Sequence, residues 1–515
     1  MPTRVSSSAG FLVLSTLLCQ ASAAITWRNC SSNDTAIIGI PLNDTRVQCA
    51  EFSVPLDWSD TSAQKITIGL TRLAATKPGN RIGSLFVNPG GPGVPTSELI
   101  GAQALGFEFF PDSITEAFDL IGMDPRGFGL STGIQCDPDL WNQRVTQFPS
   151  SQEDFDTVVS TQIQIWESCY NMSGPLLYNI DTRSVARDME AVRIALNDGP
   201  LNFLGISYGT VIAQTYAQLF PESYRTIAMD GIVDHTSSAT NLFFTAAQTL
   251  ESVINQFALW CNTTDTTNCP LTGRDVLSIW NTTVTSALNH PIPAPGCIGT
   301  PASLLNGSCY ANVTATEFLS VMRDALRLTE GNATAVSQTY AKSSLARSKY
   351  ASATFAAVAI PCLDFRNALA NYDDLRYRLE LGSYIAPLSR GASHTWTEQM
   401  QCLGFGHRPT YPQQNMDVPW NYNPSPITFL NGSVEAQLPS NETTNTAVLL
   451  VQSKYDPSCN YLWAENVRAG IDNSTLLLRD GAGHTSYLLH GEASDAINAY
   501  LLNLTLPAPA SVVAT

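Results

Sequence analysis

Short apolar runs alternate with amphipathic segments along the first half of the chain. Five runs between about residues 66 and 235 have the length and composition of strands: KITIGLTRLA, GSLFVNPGG, FDLIGMDPRG, LNFLGISYG and YRTIAMDGIV. The segment between the third run and the fourth predicts a helix that is capped by Asp181. This alternation predicts an α/β fold in which helices flank a mostly parallel central sheet.

The pattern changes from about residue 236 to 425. Cysteines, glycosylation sequons and proline-rich links interrupt helical patterns there, and we interpret this region as an inserted, mainly helical cap. Two more strand patterns and a closing helix pattern follow: TAVLLVQSKYD, STLLLRDGAGH and SDAINAYLLNL. The predicted organisation is a core in two parts, 24–235 and 426–515, with the cap at 236–425 between them.

The composition is that of a globular protein with a strong charge bias. Hydrophobic residues make up 44% of the 515 residues and charged residues only 14%, which excludes a disordered chain. With 27 basic against 44 acidic residues the net charge is −17, which argues against nucleic acid or an anionic membrane surface as a partner. The sequence leaves the oligomeric state open.

The N-terminal segment has the pattern of a secretory signal peptide. Arg4 precedes a short apolar run from Phe11 to Leu18, and the small residues Ala21, Ser22 and Ala23 follow. Cleavage after Ala23 would remove residues 1–23. Since no later run reaches about 18 apolar residues, we expect a soluble secreted protein without membrane insertion.

Cysteines and sequons agree with secretion. Cys19 lies in the signal segment, so eleven of the twelve cysteines remain, and an oxidising compartment would pair most of them and leave one over. Spacing makes five near pairs plausible without fixing them: Cys30/Cys49, Cys136/Cys169, Cys261/Cys269, Cys297/Cys309 and Cys362/Cys402. Asn-x-Ser/Thr sequons, acceptors for N-glycans, occur among others at Asn43, Asn171, Asn262, Asn306, Asn332, Asn431 and Asn503.

A serine between two glycines stands where a strand pattern gives way to a helix pattern. In Gly205-Ile206-Ser207-Tyr208-Gly209 the serine would lie on a tight turn that lifts its hydroxyl above the sheet, as in the nucleophile elbow of serine hydrolases. GLSTG, which contains Ser131, has the same spacing but follows a glycine-rich turn and does not open a comparable helix. We therefore predict Ser207 as the nucleophile and keep Ser131 as the alternative.

A serine nucleophile needs a base that removes its proton. His484 follows an apolar strand pattern and a Gly-Ala-Gly loop, late in the chain, where this chain order requires the base. His490 is the alternative, and the remaining histidines lie in or beside the predicted cap: His235, His290, His394 and His407.

The base needs a carboxylate that orients it. Asp456 ends the strand pattern TAVLLVQSKYD, and the next strand pattern leads to His484. Asp230, at the end of YRTIAMD, is the alternative carboxylate. Turn capping would explain either residue equally well. We prefer Asp456 because it lies one strand before His484, where this fold places the acid.

Acyl transfer also needs donors for the oxyanion. The turn PGGPG directly follows a strand pattern, and since Pro92 has no N–H, we predict the N–H groups of Gly91 and Tyr208 as the two donors. The sequence has neither H-E-x-x-H nor a G-x-G-x-x-G that opens a helix, so we predict no metal and no cofactor.

Together these stretches resemble the α/β-hydrolase serine exopeptidases related to proline iminopeptidase, and most closely their secreted tripeptidyl-aminopeptidase-like branch. The resemblance rests on LFVNPGGPG, FDLIGMDPRGFGLST, LNFLGISYGTVIAQTYAQLFPE, MDGIVD, LLVQSKYDP and GAGH. It implies the α/β-hydrolase fold, the triad Ser207, Asp456 and His484, an oxyanion hole at the PGGPG turn, and removal of amino acids or short peptides from N-termini.

The sequence departs from this family in two places. The glycine turn continues into VPTSE instead of further Gly and Ser, and no cysteine follows soon after His484, so we expect Cys459 to be the unpaired thiol. An exopeptidase must also bind a free α-ammonium, and Asp364 in the predicted cap is our candidate for that contact.

Three functions are compatible with these residues. The first is a secreted serine aminopeptidase that acts on short peptides through an acyl-enzyme. The second keeps the triad but hydrolyses an ester, lactone or amide of a small molecule, because fold and triad do not determine the acyl group. The third is a catalytically silent binding protein, which would be expected to lack a triad residue.

Overall fold

The structure is a computed structural model that describes residues 24–62, 64–320, 331–366, 369–406, 447–471 and 473–514. The predicted signal segment 1–23, His407, the sequon at Asn431 and residues 407–425 of the predicted cap lie outside the described residues.

The described chain forms one large sheet and one two-stranded sheet. Its strands are β1 (Arg28–Asn29), β2 (Val47–Pro55), β3 (Lys65–Leu73), β4 (Gly83–Asn88), β5 (Phe118–Met123), β6 (Leu201–Ile206), β7 (Tyr224–Asp230), β8 (Ile292–Pro293), β9 (Asn312–Val313), β10 (Val448–Tyr455), β11 (Ser474–Ala482) and β12 (Val512–Ala514). The large sheet has the order β1-β2-β3-β5-β4-β6-β7-β10-β11-β12. It is antiparallel from β1 to β5 and parallel from β5 to β12, which confirms the predicted mostly parallel sheet.

The described helices connect these strands. They are α1 (Ser32–Ile38), α2 (Thr96–Ala104), α3 (Asp112–Ala117), α4 (Pro138–Trp141), α5 (Gln152–Ser173), α6 (Thr182–Leu196), α7 (Gly209–Leu219), α8 (Ala239–Thr263), α9 (Val276–Asn289), α10 (Pro301–Leu305), α11 (Ala315–Ser320), α12 (Thr334–Ser344), α13 (Ser352–Asp364), α14 (Tyr372–Ile385), α15 (His394–Gln401), α16 (Tyr461–Gly470) and α17 (Glu492–Asn503). The Asp181 side chain accepts a hydrogen bond from the Ser184 N–H and caps α6, as the sequence predicts.

Helices cover both faces of the sheet. Phe203 and Leu204 are neighbours in β6 and point to opposite faces, and each is buried in a different apolar cluster. The Phe203 cluster includes residues of α5, α6, α7 and α16, whereas the Leu204 cluster includes residues of α2, α3 and α17. Because both faces are covered, the central strands are continuous apolar runs, which is why they were recognisable in the sequence.

The helical region between β7 and β10 is an insertion into the sheet. Leu450 of β10 pairs directly with Met229 of β7, so two neighbouring strands are separated by more than 200 residues of sequence. In the described chain this insertion contains α8 to α15 and the small β8–β9 sheet. It leaves the sheet after β7, at the edge where the carboxyl ends of the parallel strands meet.

Cysteine pairing follows the near-neighbour spacing. The structure contains the disulfides Cys30–Cys49, Cys136–Cys169, Cys261–Cys269, Cys297–Cys309 and Cys362–Cys402. Cys459 is a free, buried thiol, as expected. None of the helices in the described ranges is both long enough and apolar enough to cross a bilayer.

Candidate active site

The turn that carries Ser207 tolerates only glycine at two positions. Ser207 has a φ of 55°, a left-handed conformation that a non-glycine residue adopts at a cost. A Cβ atom on Gly205 would lie 2.3 Å from the Gly209 carbonyl oxygen, and one on Gly209 would lie 2.7 Å from the Asn88 carbonyl oxygen. The glycines therefore let strand β6, helix α7 and the turn after β4 meet closely enough to expose the serine hydroxyl.

Three side chains from the ends of three strands form a continuous hydrogen-bonded chain. Ser207 Oγ lies 2.9 Å from His484 Nε2, and His484 Nδ1 lies 2.8 Å from Asp456 Oδ1. Ser207 follows β6, Asp456 follows β10 and His484 follows β11, so the parallel sheet delivers all three to the same edge. With the proton on Nδ1, the imidazole donates to Asp456 and accepts from the serine hydroxyl.

The Asp456 carboxylate is fixed by backbone donors. Its Oδ1 accepts from the N–H groups of Ser458 at 2.8 Å and Cys459 at 2.9 Å, and its Oδ2 accepts from the Thr485 N–H at 3.0 Å. The side chain has no solvent exposure, whereas that of His484 is 33% exposed. Oδ1 thus orients the His484 imidazole, and Oδ2 is bonded to the backbone of Thr485, the residue after His484.

Burial and Asp456 act in opposite directions on the His484 imidazole. Burial lowers its pKa, but the hydrogen bond and charge of Asp456, with the charge of Asp230, outweigh burial and raise the pKa above its ordinary value of 6.5. The same interactions would stabilise an imidazolium at this position.

Two backbone N–H groups beside Ser207 are suited to an oxyanion. The Gly90 N–H already donates to Asn88 Oδ1 at 3.0 Å, and Pro92 has no N–H, so Gly91 is the candidate donor among residues 90–92. The Tyr208 N–H lies at the start of α7, where the helix dipole favours a negative charge. Gly91 and Tyr208 both line the cavity beside Ser207.

Family comparisons agree with this arrangement. A family model described as "alpha/beta hydrolase fold" matches residues 83–269, and one described as "TAP-like protein" matches residues 431–513. The chain therefore has the α/β-hydrolase fold. The first match contains Ser207, and the second contains Asp456 and His484.

Several curated relatives are similar to this chain over part of their length. The chain is 35% identical to the serine protease Hip1 of Mycobacterium tuberculosis over 229 residues, 43% of this chain and 42% of that protein. It is 31% identical to the tripeptidyl aminopeptidase of Streptomyces lividans over 42% of this chain and 39% of that protein. Carboxylesterase B of M. tuberculosis is 32% identical over 52% of this chain and 50% of that protein. The chain thus spans about two fifths to one half of the curated relatives it matches.

Solved structures give only a weak likeness. A proline iminopeptidase of Mycobacterium smegmatis has 12% sequence identity and a TM-score of 0.31, over 88% of this chain and 97% of that one. An esterase of Exiguobacterium antarcticum has 12% identity and a TM-score of 0.30, over 81% and 89% of the two chains.

The alternative serine and histidines have other contacts in the α/β-hydrolase. Ser131 is buried, donates to the Asp124 carbonyl at 2.6 Å and accepts from the Gly69 N–H at 2.9 Å. His235 Nε2 lies 2.7 Å from the Asp364 carbonyl oxygen, and burial lowers the His235 pKa. The hydrogen-bonded chain at Ser207 therefore contains neither Ser131 nor His235. The alternative base His490 is exposed, and the histidine bonded to Ser207 is His484.

A cavity of about 540 Å³ lies between the core and the insertion. Ser207 and His484 line it on the core side, and Phe365, His394 and Glu398 line it on the insertion side. Its volume and its mixture of apolar walls with few polar groups are those of a small-molecule or short-peptide site.

Glu398 is the one carboxylate among the described residues that line this cavity. It lies one helical turn after His394 on α15, so both side chains share a face of the helix. Burial raises the pKa of Glu398 to about 7. Burial, together with the charge of His484, lowers the pKa of His394 to about 4, so His394 is neutral near pH 7.

The predicted substrate contact of Asp364 requires correction. Asp364 is buried and lies outside the cavity lining. Its carboxylate accepts from the Thr182 N–H at 3.0 Å and the Thr182 hydroxyl at 2.5 Å, and the Tyr208 hydroxyl lies 3.4 Å away. Asp364 therefore contacts Thr182 and Tyr208 of the core, and the carboxylate that lines the cavity is Glu398, which the sequence analysis missed. The separation of His394 and Glu398 by one turn was the available signal.

One cluster has the residue types of a metal site. Asp456, Cys459 and His484 offer ligand atoms within 4.8 Å of one another. The Asp456 and His484 atoms are already hydrogen-bonded to each other, and burial together with nearby carboxylates raises the pKa of the Cys459 thiol. A neutral thiol beside an occupied carboxylate is a poor ligand set, so the cluster fits the triad better than a metal.

Proposed function

We propose that the protein is a secreted serine hydrolase, and that it acts as an aminopeptidase on short peptides through an acyl-enzyme. The observation that carries the proposal is the hydrogen-bonded chain from Ser207 through His484 to Asp456, which opens into a cavity whose far wall presents one carboxylate. The proposed organisation is the predicted one, with the helical insertion at 236–425 acting as a cap over the core.

Acylation follows from the geometry. Ser207 Oγ attacks the substrate carbonyl carbon while its proton moves to His484 Nε2, 2.9 Å away, and the imidazolium keeps its bond to Asp456. The carbonyl oxygen becomes an oxyanion that accepts hydrogen bonds from the Gly91 and Tyr208 N–H groups. His484 then donates the proton to the leaving amine, and the C–N bond breaks.

Deacylation repeats these roles with water. His484 is neutral again and removes a proton from a water molecule, which attacks the ester carbonyl of the acyl-enzyme. The same two N–H groups stabilise the second oxyanion, and return of the proton to Ser207 Oγ releases the carboxylic acid. Both half-reactions need neutral His484 at their start, so activity falls as pH drops below the raised pKa of this residue.

A peptide with a free N-terminus fits the cavity better than an uncharged ester. Burial makes ionised Glu398 costly, and a cationic group beside it would offset that cost and lower its pKa. Glu398 and Ser207 line the same cavity, so a peptide could place its α-ammonium at the first and its scissile carbonyl at the second. Two of the relatives described above are named as a serine protease and a tripeptidyl aminopeptidase.

A second candidate is an esterase with the same triad. The mostly apolar cavity accepts uncharged acyl groups as well, and one relative is named carboxylesterase B. Three chromogenic substrates separate the two candidates: a free-amino tripeptide amide, its N-acetylated form and a short-chain ester. We expect cleavage of the free peptide and at least a tenfold lower kcat/KM for the acetylated one, with Ser207→Ala as background. Cleavage of the ester alone would contradict the peptidase proposal.

Removing the Glu398 charge should weaken the binding of free N-termini. We expect Glu398→Gln to raise KM for the free-amino tripeptide amide about 10- to 100-fold with little change in kcat, because an interaction of about 1.4 to 2.8 kcal/mol with the ammonium is lost. Hydrolysis of the short-chain ester should stay within about twofold of the unsubstituted protein.

The matched control is Glu380→Gln, which removes a carboxylate whose side chain is 77% exposed on the insertion. It should change neither substrate's kinetics. A parallel loss for ester and peptide in Glu398→Gln would show a general defect of the cavity and would reject Glu398 as the ammonium site.

We propose secretion on two grounds. The described residues contain five disulfides, which form and persist in oxidising compartments. The predicted signal peptide supplies the route, with cleavage near Ala23.

A further inference from the structure

Asp230, the rejected rival for the triad acid, touches both catalytic loops. It ends β7 and its side chain is fully buried. Its backbone carbonyl accepts from the Ser207 N–H at 2.8 Å, and its Oδ2 accepts from the N–H groups of Ser486 and Tyr487 at 2.7 Å each. One residue therefore joins the turn of the nucleophile to the loop of the base.

Arg479 holds the same loop from its other side. Arg479 is only 1% exposed, although a guanidinium group is costly to bury. It donates to the carbonyl oxygens of Ala482 at 3.1 Å, Gly483 at 3.0 Å and Thr485 at 2.9 Å, and to Ser486 Oγ at 3.0 Å. The two charged side chains thus bind the loop at residues 482–487 on either side of His484.

We propose that Asp230 and Arg479 are positioning residues, which hold the His484 loop against Ser207 and set the charge balance at the imidazole. This inference rests on the proposed serine-hydrolase function, and it adds two residues that do not themselves contact substrate. Asp456 orients the ring of His484, whereas Asp230 and Arg479 fix the backbone that carries it.

The charges around Asp230 give the pair an effect beyond holding the loop. The groups that face it are Asp456, His484, Arg479 and the neutral thiol of Cys459. Asp230 Oδ1 is buried and has no hydrogen-bond partner among the described residues, so its charge is only partly compensated. Burial and Asp456 raise the pKa of Asp230 to about 6, although its backbone hydrogen bonds and His484 oppose the shift.

The two residues should shift His484 in opposite directions. Ionised Asp230 favours the imidazolium and raises the His484 pKa, so loss of that charge should lower it. The Arg479 guanidinium donates to the carbonyl oxygens of Gly483 and Thr485, the residues on either side of His484, so loss of this nearby positive charge should raise the His484 pKa. A purely structural defect would not shift the His484 pKa in opposite directions in the two variants.

The test uses the rate at which a fluorophosphonate phosphonylates Ser207, measured against pH, because this rate reports on activation of the serine whatever the natural substrate. We expect Asp230→Asn to move the acid-side midpoint to lower pH and Arg479→Gln to move it to higher pH, each by about one unit. Both variants should lower the maximal rate roughly 10- to 100-fold, because a misplaced imidazole transfers the proton more slowly.

Asp124→Asn is the matched control. Asp124 is a buried carboxylate that also accepts backbone donors, from Ser97 at 2.9 Å and Leu130 at 2.8 Å, but these hydrogen bonds are to residues outside the His484 loop. It should lower the melting temperature and leave the midpoint where it is. Circular dichroism and thermal unfolding of every variant separate lost fold from altered titration.

An unshifted midpoint in folded Asp230→Asn, or shifts of the same sign in both variants, would overturn the proposal. If Asp230→Asn does not fold, the sign of the shift in Arg479→Gln decides, and an unchanged or lower midpoint rejects it. Failure of the proposed function looks different, because the unsubstituted protein would then not react with the fluorophosphonate at any pH.

Discussion

Ser207→Ala is expected to lower kcat by roughly 10⁶-fold on any substrate that the protein hydrolyses, equivalent to about 8 kcal/mol of transition-state stabilisation. The substitution removes the proposed nucleophile, the hydroxyl that lies 2.9 Å from His484 Nε2. Steady-state kinetics and fluorophosphonate labelling measure the loss. Residual turnover would reflect only binding and the two oxyanion donors.

The fold should survive this change. Alanine keeps the Cβ atom and the backbone conformation that the turn imposes on residue 207, and the Ser207 N–H still donates to the Asp230 carbonyl. We therefore expect the melting temperature of Ser207→Ala to lie within a few degrees of the unsubstituted value.

Ser131→Ala is the matched control, since Ser131 lies in the other Gly-x-Ser-x-Gly motif, at residues 129–133. It should keep hydrolytic activity but lower stability by about 1 to 3 kcal/mol, because the buried Gly69 N–H loses its acceptor. Full activity in Ser207→Ala together with loss in Ser131→Ala would move the nucleophile to Ser131.

Sequence patterns located the residues whose placement depends on local structure and strand order. The glycines around Ser207 are dictated by contacts of 2.3 and 2.7 Å within and beside the turn itself, so the motif carries its own geometry. Asp456 and His484 each follow a buried strand, and parallel strands deliver their carboxyl ends to one edge. The sequence therefore predicted the three side chains that the structure brings together.

Residues in the insertion were harder to place. Asp364 and Glu398 are both acidic residues on insertion helices, and only tertiary packing determines which of them faces the cavity. Asp364 turns towards Thr182 and Tyr208 of the core, a contact across about 180 residues of sequence that no local pattern encodes.

The sequence analysis also missed the long helix α5, which lies before the insertion, because its apolar positions are interrupted by Gln, Ser and Thr.

The sequence could not assign the role of Asp230. Chain order allowed either Asp230 or Asp456 to orient the base, since β7 and β10 are neighbours and both end at the same edge. The structure separates them by their partners: Asp456 bonds to the His484 ring, whereas Asp230 bonds to the backbone of Ser486 and Tyr487.

Asp456→Asn should therefore lower kcat by about 10⁴-fold, the size of loss expected when a triad carboxylate is replaced by an amide. Asparagine is nearly isosteric, but an amide oxygen bears no negative charge, and an amide nitrogen placed towards Nδ1 would favour the wrong tautomer. The loss should be in kcat, with KM nearly unchanged, because the interaction is made in the transition state.

Asp230→Asn is the comparison that makes this prediction decisive, because it replaces a second buried carboxylate beside the same histidine. We expect its activity to exceed that of Asp456→Asn by roughly 100-fold or more, since loop position is disturbed while the Asp456–His484 bond of 2.8 Å remains. Steady-state kinetics of both variants, compared on the pH-independent plateau of each profile, measure the ratio. Equal losses would mean that the two carboxylates share the role of the acid, and a larger loss in Asp230→Asn would exchange their assignments.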